Sequence, residues 1–358
     1  MSRHKLFRAE QLPVFQNKMF TTCEEALACP KGDLELVQDS GSGLIFNAAF
    51  DPILLEYDSN YQNEQAHSPV FRRHLDDVRA IIAHWFQSST LIEVGCGKGH
   101  FLEYLTQHGF SITGIDPAYE GNNPHVIAAC FEPGLGVSAD GIILRHVLEH
   151  IVDPVGFLQG IAEANGRKGL IYIEVPCFDW ICRNRAWFDL FYEHVNYFRI
   201  GDFFRIFANV VESGHLFGGQ YLYVVADLAT LRRPQAVATE EVQFPEDFTS
   251  DIDTYAKQIL QDDGRRQRAV WGGASKGLIF SLYMKRRGAE IETIIDINPA
   301  KQGKYVAASG LLVTSPNEAI QSLSPGSDIF VMNSNYFDEI VQQSNQLFNY
   351  IKVDQHEF

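Results

Sequence analysis

The sequence predicts an α/β protein built on doubly wound parallel sheets, and three observations carry the prediction. Short apolar runs alternate with helix-period stretches from about residue 68 to residue 175, the pattern of strand–helix–strand units. The first run ends in Gly95-Cys96-Gly97-Lys98-Gly99, the kind of turn that leads a buried strand into a helix around a ligand. A second strand–turn–helix series starts at residue 269 and repeats the pattern on a smaller scale.

Residues 1–67 are punctuated by Pro13, Gly32, Gly41, Gly43 and Pro52 and read as an irregular N-terminal cap of short strands and turns. A helix is expected next. Val70, Phe71, Leu75, Val78, Ile81, Ile82, Trp85 and Phe86 recur at three- and four-residue spacing, behind Ser68 as N-cap and Pro69 in the first turn. The runs 91–94, 111–115, 126–129, 141–144 and 170–175 are the expected strands. Runs 210–212 and 221–225 flank a glycine-rich HLFGG and read as an antiparallel hairpin at the sheet edge. Residues 231–247, polar and broken by prolines, read as a linker. Phe248, Ile252, Tyr255 and Ile259 then form one helical stripe, followed by strands at 269–271, 291–295 and 328–332. The expected domains are therefore a cap (1–67), a ligand-binding domain (68–230), a linker (231–247) and a smaller α/β domain (248–358).

Composition narrows the function. With 358 residues, 46% apolar and 21% charged, the chain suits two or three globular domains. A formal charge of −16 repels phosphate backbones, so no nucleic-acid partner is expected. No long apolar run and no apolar N-terminal segment are present. Neither a membrane span nor a secretory signal is expected, and the cytoplasm is the expected compartment. Cys23, Cys29, Cys96, Cys130, Cys177 and Cys182 form no C-x-x-C pair and read as reduced thiols.

The ligand class follows from two carboxylates around the glycine turn. Glycines at 95, 97 and 99 allow positive φ and a close approach of backbone to ligand. Glu93 sits in the strand just before the turn, suited to an amino group and repulsive to a pyrophosphate. Asp116 ends the second run, 23 residues after Glu93, where a carboxylate accepts both hydroxyls of a ribose. The combination favours S-adenosylmethionine over a nicotinamide dinucleotide. Cys130 and Phe131 follow the third run, where an adenine ring would lie. His146, after the fourth, is placed to face a methyl donor, while Glu149 and His150 read as the start of the next helix.

At this point the chain resembles the class I S-adenosylmethionine-dependent methyltransferases that carry an extra C-terminal domain, among them sugar C-methyltransferases acting on TDP-linked 4-keto deoxysugars. The resemblance rests on EVGCGKG, RHVLEHIVDP, Glu174-Val175-Pro176, the segment from Phe191 to Phe198, the Phe217-Gly218-Gly219-Gln220-Tyr221 hairpin, and WGGASKG, DINPAKQGKY and MNSNY near the end. It implies a Rossmann-like methyltransferase domain followed by a smaller Rossmann-like domain, with S-adenosylhomocysteine as product and a small-molecule acceptor. In the sugar enzymes the segment reads Tyr-x-Glu-His, with the histidine implicated as general base. Glu193 and His194 match, Phe191 stands at the tyrosine position, and Tyr192 falls on the variable one. His194, Glu193 and Tyr192 are therefore the expected catalytic group.

Tyr57 and Tyr61 match tyrosines that reach over the family's active site, and Tyr197 is placed with them. The turn at WGGASKG forms an anion site at a helix start. With Lys276, Lys301, Lys304, Asn298, Asn333, Asn335 and Tyr336 around it, the resemblance suggests a hold on a substrate handle such as a nucleotide diphosphate. The reaction stays open between carbon methylation next to a carbonyl, nitrogen or oxygen methylation, and a non-catalytic binding protein that has kept the fold.

The family often has an N-terminal zinc module with a C-x-x-C before a Gly-Leu-x-Phe-Asn stretch. Here that stretch is Gly43 to Asn47, and Asp39 and Ser42 occupy the cysteine positions. Two oxygen groups do not replace two thiolates around a tetrahedral zinc, and no metal site is expected. Elemental analysis of protein purified without added metal will find well under one zinc per chain; a stoichiometric, chelator-resistant zinc would refute this.

Overall fold

The computed structural model describes residues 3–55, 67–87, 89–237, 241–262, 266–273 and 275–355. Tyr57 and Tyr61 lie outside the described residues.

The central domain is a seven-stranded sheet in the order Val210–Leu216, Tyr221–Asp227, Leu170–Pro176, Gly141–Arg145, Thr90–Val94, Ser111–Ile115, Val126–Ile127. Tyr221–Asp227 is antiparallel to both neighbours, and the other pairings are parallel. That is the class I methyltransferase arrangement, with the hairpin closing the edge as the glycine-rich turn predicts. Strand order reverses between Thr90–Val94 and Gly141–Arg145, and a ligand crevice opens beyond their carboxyl ends. The edge strand at 126 is shorter than the apolar run: Ala129 N–H turns back to the Ile127 carbonyl at 3.0 Å.

Helix Pro69–Phe86 starts where the capping signal places it. The Ser68 hydroxyl accepts from Val70 and Phe71 N–H, an arrangement that stabilises a helix by about 1 kcal/mol. Phe71, Leu75, Val78, Ile82 and Phe86 bury one stripe against the sheet. His74 lies on the same stripe and is also buried, which an apolar periodicity does not reveal.

The second α/β domain has five parallel strands in the order Val313–Thr314, Thr293–Ile295, Arg268–Trp271, Asp328–Val331, Asn349–Lys352. Helix Ser250–Gln261 covers it with Ile252, Tyr255 and Ile259 inward.

The cap is more regular than its punctuation suggests. Arg3–Pro13 pairs antiparallel with Lys31–Asp39, which pairs with Ile45–Asn47, and Asn196–Tyr197 of the central domain adds a fourth strand. Two register shifts in the first pairing break the alternation of apolar and polar residues, so no period-two pattern is visible in the sequence. Met19–Phe20 pairs with Tyr305–Val306, tying the cap to the C-terminal domain as well. Within the stretch read as a linker, two residues contact the cap: Val242 N–H donates to Gln38 Oε1 at 3.0 Å, and Phe244 stacks on Phe7 at 5.6 Å.

Asp39 and Ser42 close a turn by hydrogen bonding to one another. Asp39 Oδ2 accepts from Ser42 N at 2.7 Å, Ser42 Oγ at 2.8 Å and Gly41 N at 3.2 Å. Burial opposes the charge, but these donors outweigh it and hold the Asp39 carboxyl below its usual value. Its contribution is therefore present above the ordinary carboxylate pKa and is lost as pH falls through the lowered one. Asp39→Ala will lower unfolding free energy in urea by about 1–2 kcal/mol at pH 7, with the difference shrinking in acid.

Candidate active site

A cleft of about 580 Å³ runs between the two α/β domains at the carboxyl ends of the central strands. At one end lies the glycine turn, with φ of +73° at Gly95, +53° at Gly97 and +81° at Gly99. A Cβ on Gly95 would collide with Val147, so the turn and the following loop pack backbone to side chain. Asp116 holds the turn closed: Gly97 N–H donates to one carboxylate oxygen and Ala118 N–H to the other, both at 2.8 Å. Each oxygen keeps a further acceptor position for a hydroxyl.

Glu93 lines the cleft beside this turn, 4% exposed, and its Oε2 has no hydrogen-bond partner. Burial pushes its pKa up to about 8 against the pull of Arg145. A buried carboxyl with one unpartnered oxygen beside a glycine turn is a chemical fit for the amino group of S-adenosylmethionine, the role expected of Glu93.

The middle of the cleft is organised by a residue that only the family strings contained. Glu174 is fully buried. It accepts from Tyr172 Oη at 2.7 Å, His74 Nε2 at 2.9 Å, His146 Nε2 at 3.0 Å and the Arg145 guanidinium at 3.2 Å. Burial opposes its charge, and Arg145 and His74 outweigh it, holding the carboxyl well below its usual value. His146 has φ of +52° and lies 3.5 Å from Glu149 through Nδ1. Burial works against its charge too, but the bonds to Glu149 and Glu174 prevail and lift it to about 9.

Beyond His146 the chain makes a short turn, Leu148–His150, before helix Pro154–Ala164. Glu149 and His150 therefore do not begin the helix, as the sequence suggested; both line the cleft. The His150 and His194 rings meet edge to face at 4.9 Å. His150 Nδ1 is 3.1 Å from the Glu193 carbonyl oxygen and 4.0 Å from Glu193 Oε2. Gln16 of the cap binds two of the three expected catalytic residues: its N–H donates to Glu193 Oε1 at 2.6 Å, and its side-chain Nε2 lies 3.1 Å from His194 Nε2. Glu149, His150 and His194 present ligand atoms within 4.8 Å of one another, the one such grouping among the described residues.

Several expected residues stand elsewhere. Tyr192 is 1% exposed, stacks on Phe50 at 5.5 Å, accepts from Asp51 N–H at 2.8 Å and covers Gly32. It anchors the cap instead of reaching the cleft. Tyr197 is spent on its own loop, bonded to Phe191 N and O at 3.0 Å. Phe131 is buried in the core, Cys130 is exposed, and neither lines the cleft. Asn298 is buried and caps its own turn through Ala300 N–H at 2.9 Å, and Lys304 lies off the cleft.

Lys276 and Lys301 do line the cleft, but each is paired with an acid: Lys276 with Asp189 at 2.9 Å and Lys301 with Asp296 at 3.4 Å. Asn333, Asn335 and Tyr336 form the domain seam. Asn333 exchanges two bonds with Gln220, Asn335 donates to the Phe217 carbonyl, and Tyr336 meets the Phe217 ring at 5.5 Å.

A class I fold with this cleft is an S-adenosylmethionine-dependent methyltransferase. Residues 65–210 match the family model described as a methyltransferase domain, and residues 227–350 match that of the C-methyltransferase C-terminal domain. The chain thus joins a methyltransferase domain to a C-methyltransferase C-terminal domain. It is 24% identical over 297 residues to C-methyltransferase NovU of Streptomyces niveus, covering 72% of this chain and 69% of that protein. Over 104 residues, 25% of this chain and 41% of the relative, it is 29% identical to the ubiquinone biosynthesis O-methyltransferase of Caulobacter vibrioides. Among solved structures, the PH0226 protein from Pyrococcus horikoshii OT3 aligns with a TM-score of 0.38 and 11% identity, over 48% of this chain and 99% of that one. No helix of the described residues is long and apolar enough to cross a membrane.

If Glu93 partners the cofactor's ammonium group, as expected from the sequence, the pairing has a calorimetric signature. With a pKa of about 8, it is mostly protonated at pH 7 in the ligand-free protein, and a bound cation favours the carboxylate. Titration of S-adenosylhomocysteine in buffers of different ionisation enthalpy will show release of up to one proton near pH 7, fading above about pH 9. Glu93→Gln will abolish the release. Asp116→Ala will weaken binding about tenfold or more, the worth of a charge-assisted hydrogen bond.

Proposed function

We propose that the protein methylates a carbon atom next to the carbonyl of a small polar keto metabolite, a nucleotide-linked keto sugar being the substrate to try first. The observation that carries this reading is the histidine pair, His150 and His194, lining the same cleft as Glu93 and Glu149 and backed by the buried Glu193. Oxygen and nitrogen nucleophiles need only a position and a place for the proton to go, whereas a C–H bond next to a ketone needs a base held against it in a partly dry site.

S-adenosylmethionine, when bound, supplies an electrophilic methyl group. Glu93 and the glycine turn hold it, and Asp116 takes its ribose. The histidine pair receives the acceptor's α-proton, and the neighbouring carboxylates stabilise the cation this creates. Arg145 and His146, kept charged by Glu174, leave positive potential for a developing enolate oxygen. The C-methyltransferase description of the C-terminal domain and the name of the Streptomyces relative support carbon as the target. The sugar assignment rests on the resemblance alone, and Phe191 at the tyrosine position departs from it.

Exchange of the acceptor's α-proton tests the reading. Protein with S-adenosylhomocysteine and a TDP-linked 4-keto deoxysugar in deuterated water will raise the substrate mass by one unit. A product methylated on oxygen or nitrogen without such exchange would reject carbon methylation.

A further inference from the structure

Two buried carboxylates line the cleft with an oxygen that has no hydrogen-bond partner among the described residues, Glu93 Oε2 and Glu149 Oε2. Glu93 stands beside the glycine turn and is the expected partner of the cofactor's ammonium. Glu149 has no ligand assigned to it. Its side chain is 3% exposed, and its other oxygen, Oε1, faces His146 Nδ1 at 3.5 Å. Burial opposes its charge, but the bond to His146 and the nearby His150 ring outweigh it and hold the carboxyl below its usual value. The buried, ionised carboxylate is thus one hydrogen bond short until a ligand supplies the donor.

The place of that oxygen is fixed from both sides. Val147, two residues earlier, packs against the glycine turn, where a Cβ on Gly95 would collide with it. His146, at φ of +52° and bonded to Glu174, holds Oε1. Glu149 also offers an oxygen within 4.8 Å of nitrogens of His150 and His194. A group bound to Glu149 therefore lies next to the pair that receives the acceptor's α-proton. An ammonium would meet a carboxylate already paired with His146 and would oppose the positive charge that arrives on the histidines with the proton. A hydroxyl donates without adding charge.

We propose that Glu149 selects the acceptor: Oε2 accepts a hydrogen bond from a hydroxyl on the carbon next to the carbonyl, so that the protein takes α-hydroxy ketones in preference to their deoxy counterparts. This rests on the carbon-methylation reading, from which it takes only that the acceptor is a ketone lying beside the histidine pair. A site built to bond a substrate hydroxyl rejects the analogue without it, because the buried oxygen is then left unpaired.

Titration calorimetry on protein saturated with S-adenosylhomocysteine compares TDP-linked 4-keto-6-deoxyglucose, which has a hydroxyl next to the ketone, with its 3-deoxy analogue. The hydroxylated sugar will bind about tenfold tighter or more, the worth of a hydrogen bond to a charged group. Glu149→Ala will remove most of that preference by weakening the hydroxylated sugar alone, and Glu149→Gln, of the same shape, will keep part of it. A wild-type protein with equal affinity for the two sugars, or with none for either, overturns the proposal whatever the variants do. So does a preference that survives in both variants, the result expected of a carboxylate that serves only as counter-ion to His146. A preference lost on adding EDTA would give the oxygen to a metal and overturn it too. The α-proton exchange assay on the same samples separates the two readings: a wild-type protein that prefers the hydroxylated sugar but exchanges a proton of neither overturns carbon methylation and leaves the hydroxyl site standing.

Discussion

Glu174 is wholly buried near the end of a central strand, and an ionised carboxylate there costs several kcal/mol unless the surrounding groups neutralise it. Arg145 comes from the next strand, His74 from the helix that covers the sheet, and His146 from the loop that starts the cleft wall. One carboxylate therefore sets the position of three elements. The loop conformation depends on it most directly, because His146 sits at positive φ, a geometry that costs about 1 kcal/mol or more in a non-glycine residue. Its bonds to Glu174 and Glu149 offset that cost, and Glu149 and His150 are presented to the cleft as a result.

The cap completes the site from outside the methyltransferase domain. Gln16 donates its N–H to Glu193, contacts His194 with its side chain, and accepts from Ser275 N–H of the C-terminal domain at 3.0 Å. Three parts of the chain meet at one residue. On the other side of the cleft, a ladder of rings runs from His146 to Tyr221 at 4.6 Å, on to Phe217 at 5.4 Å and to Tyr336 across the seam at 5.5 Å. The acceptor end of the cleft is thus fixed relative to both domains, as a reaction governed by proximity requires.

What the sequence made legible was local. The glycine turn, the capped helix from Ser68, the alternating strands and the hairpin all carry their cause within a few residues, and the structure has each of them. The placement of Glu93 and Asp116 beside the turn was readable for the same reason: their distance from it is a property of one strand–helix–strand unit. Gln16 and Glu174 were not, because the contacts that give them meaning join residues 177 and 100 apart. Tyr192 failed in the opposite way. Adjacent to two site residues in sequence, it sits in a turn with Glu193 and packs on the cap, where its ring stacks on Phe50.

The two α/β domains use one device with different outcomes. In each, the aspartate ending the second strand accepts from a glycine-turn N–H: Asp116 from Gly97 at 2.8 Å, Asp296 from Gly273 at 3.0 Å. In the central domain a buried glutamate with an unpartnered oxygen stands one turn away, which a cationic amino group would satisfy. In the C-terminal domain the corresponding strand position is Val270, and Asp296 also takes Asn298 N–H at 2.8 Å and the Lys301 ammonium. The charge a ribose-bearing ligand would meet at Asp296 is already neutralised within the domain. The same topology therefore leaves an unpartnered acidic oxygen beside the turn in one half and, in the other, a cleft wall whose acid is paired within its own domain.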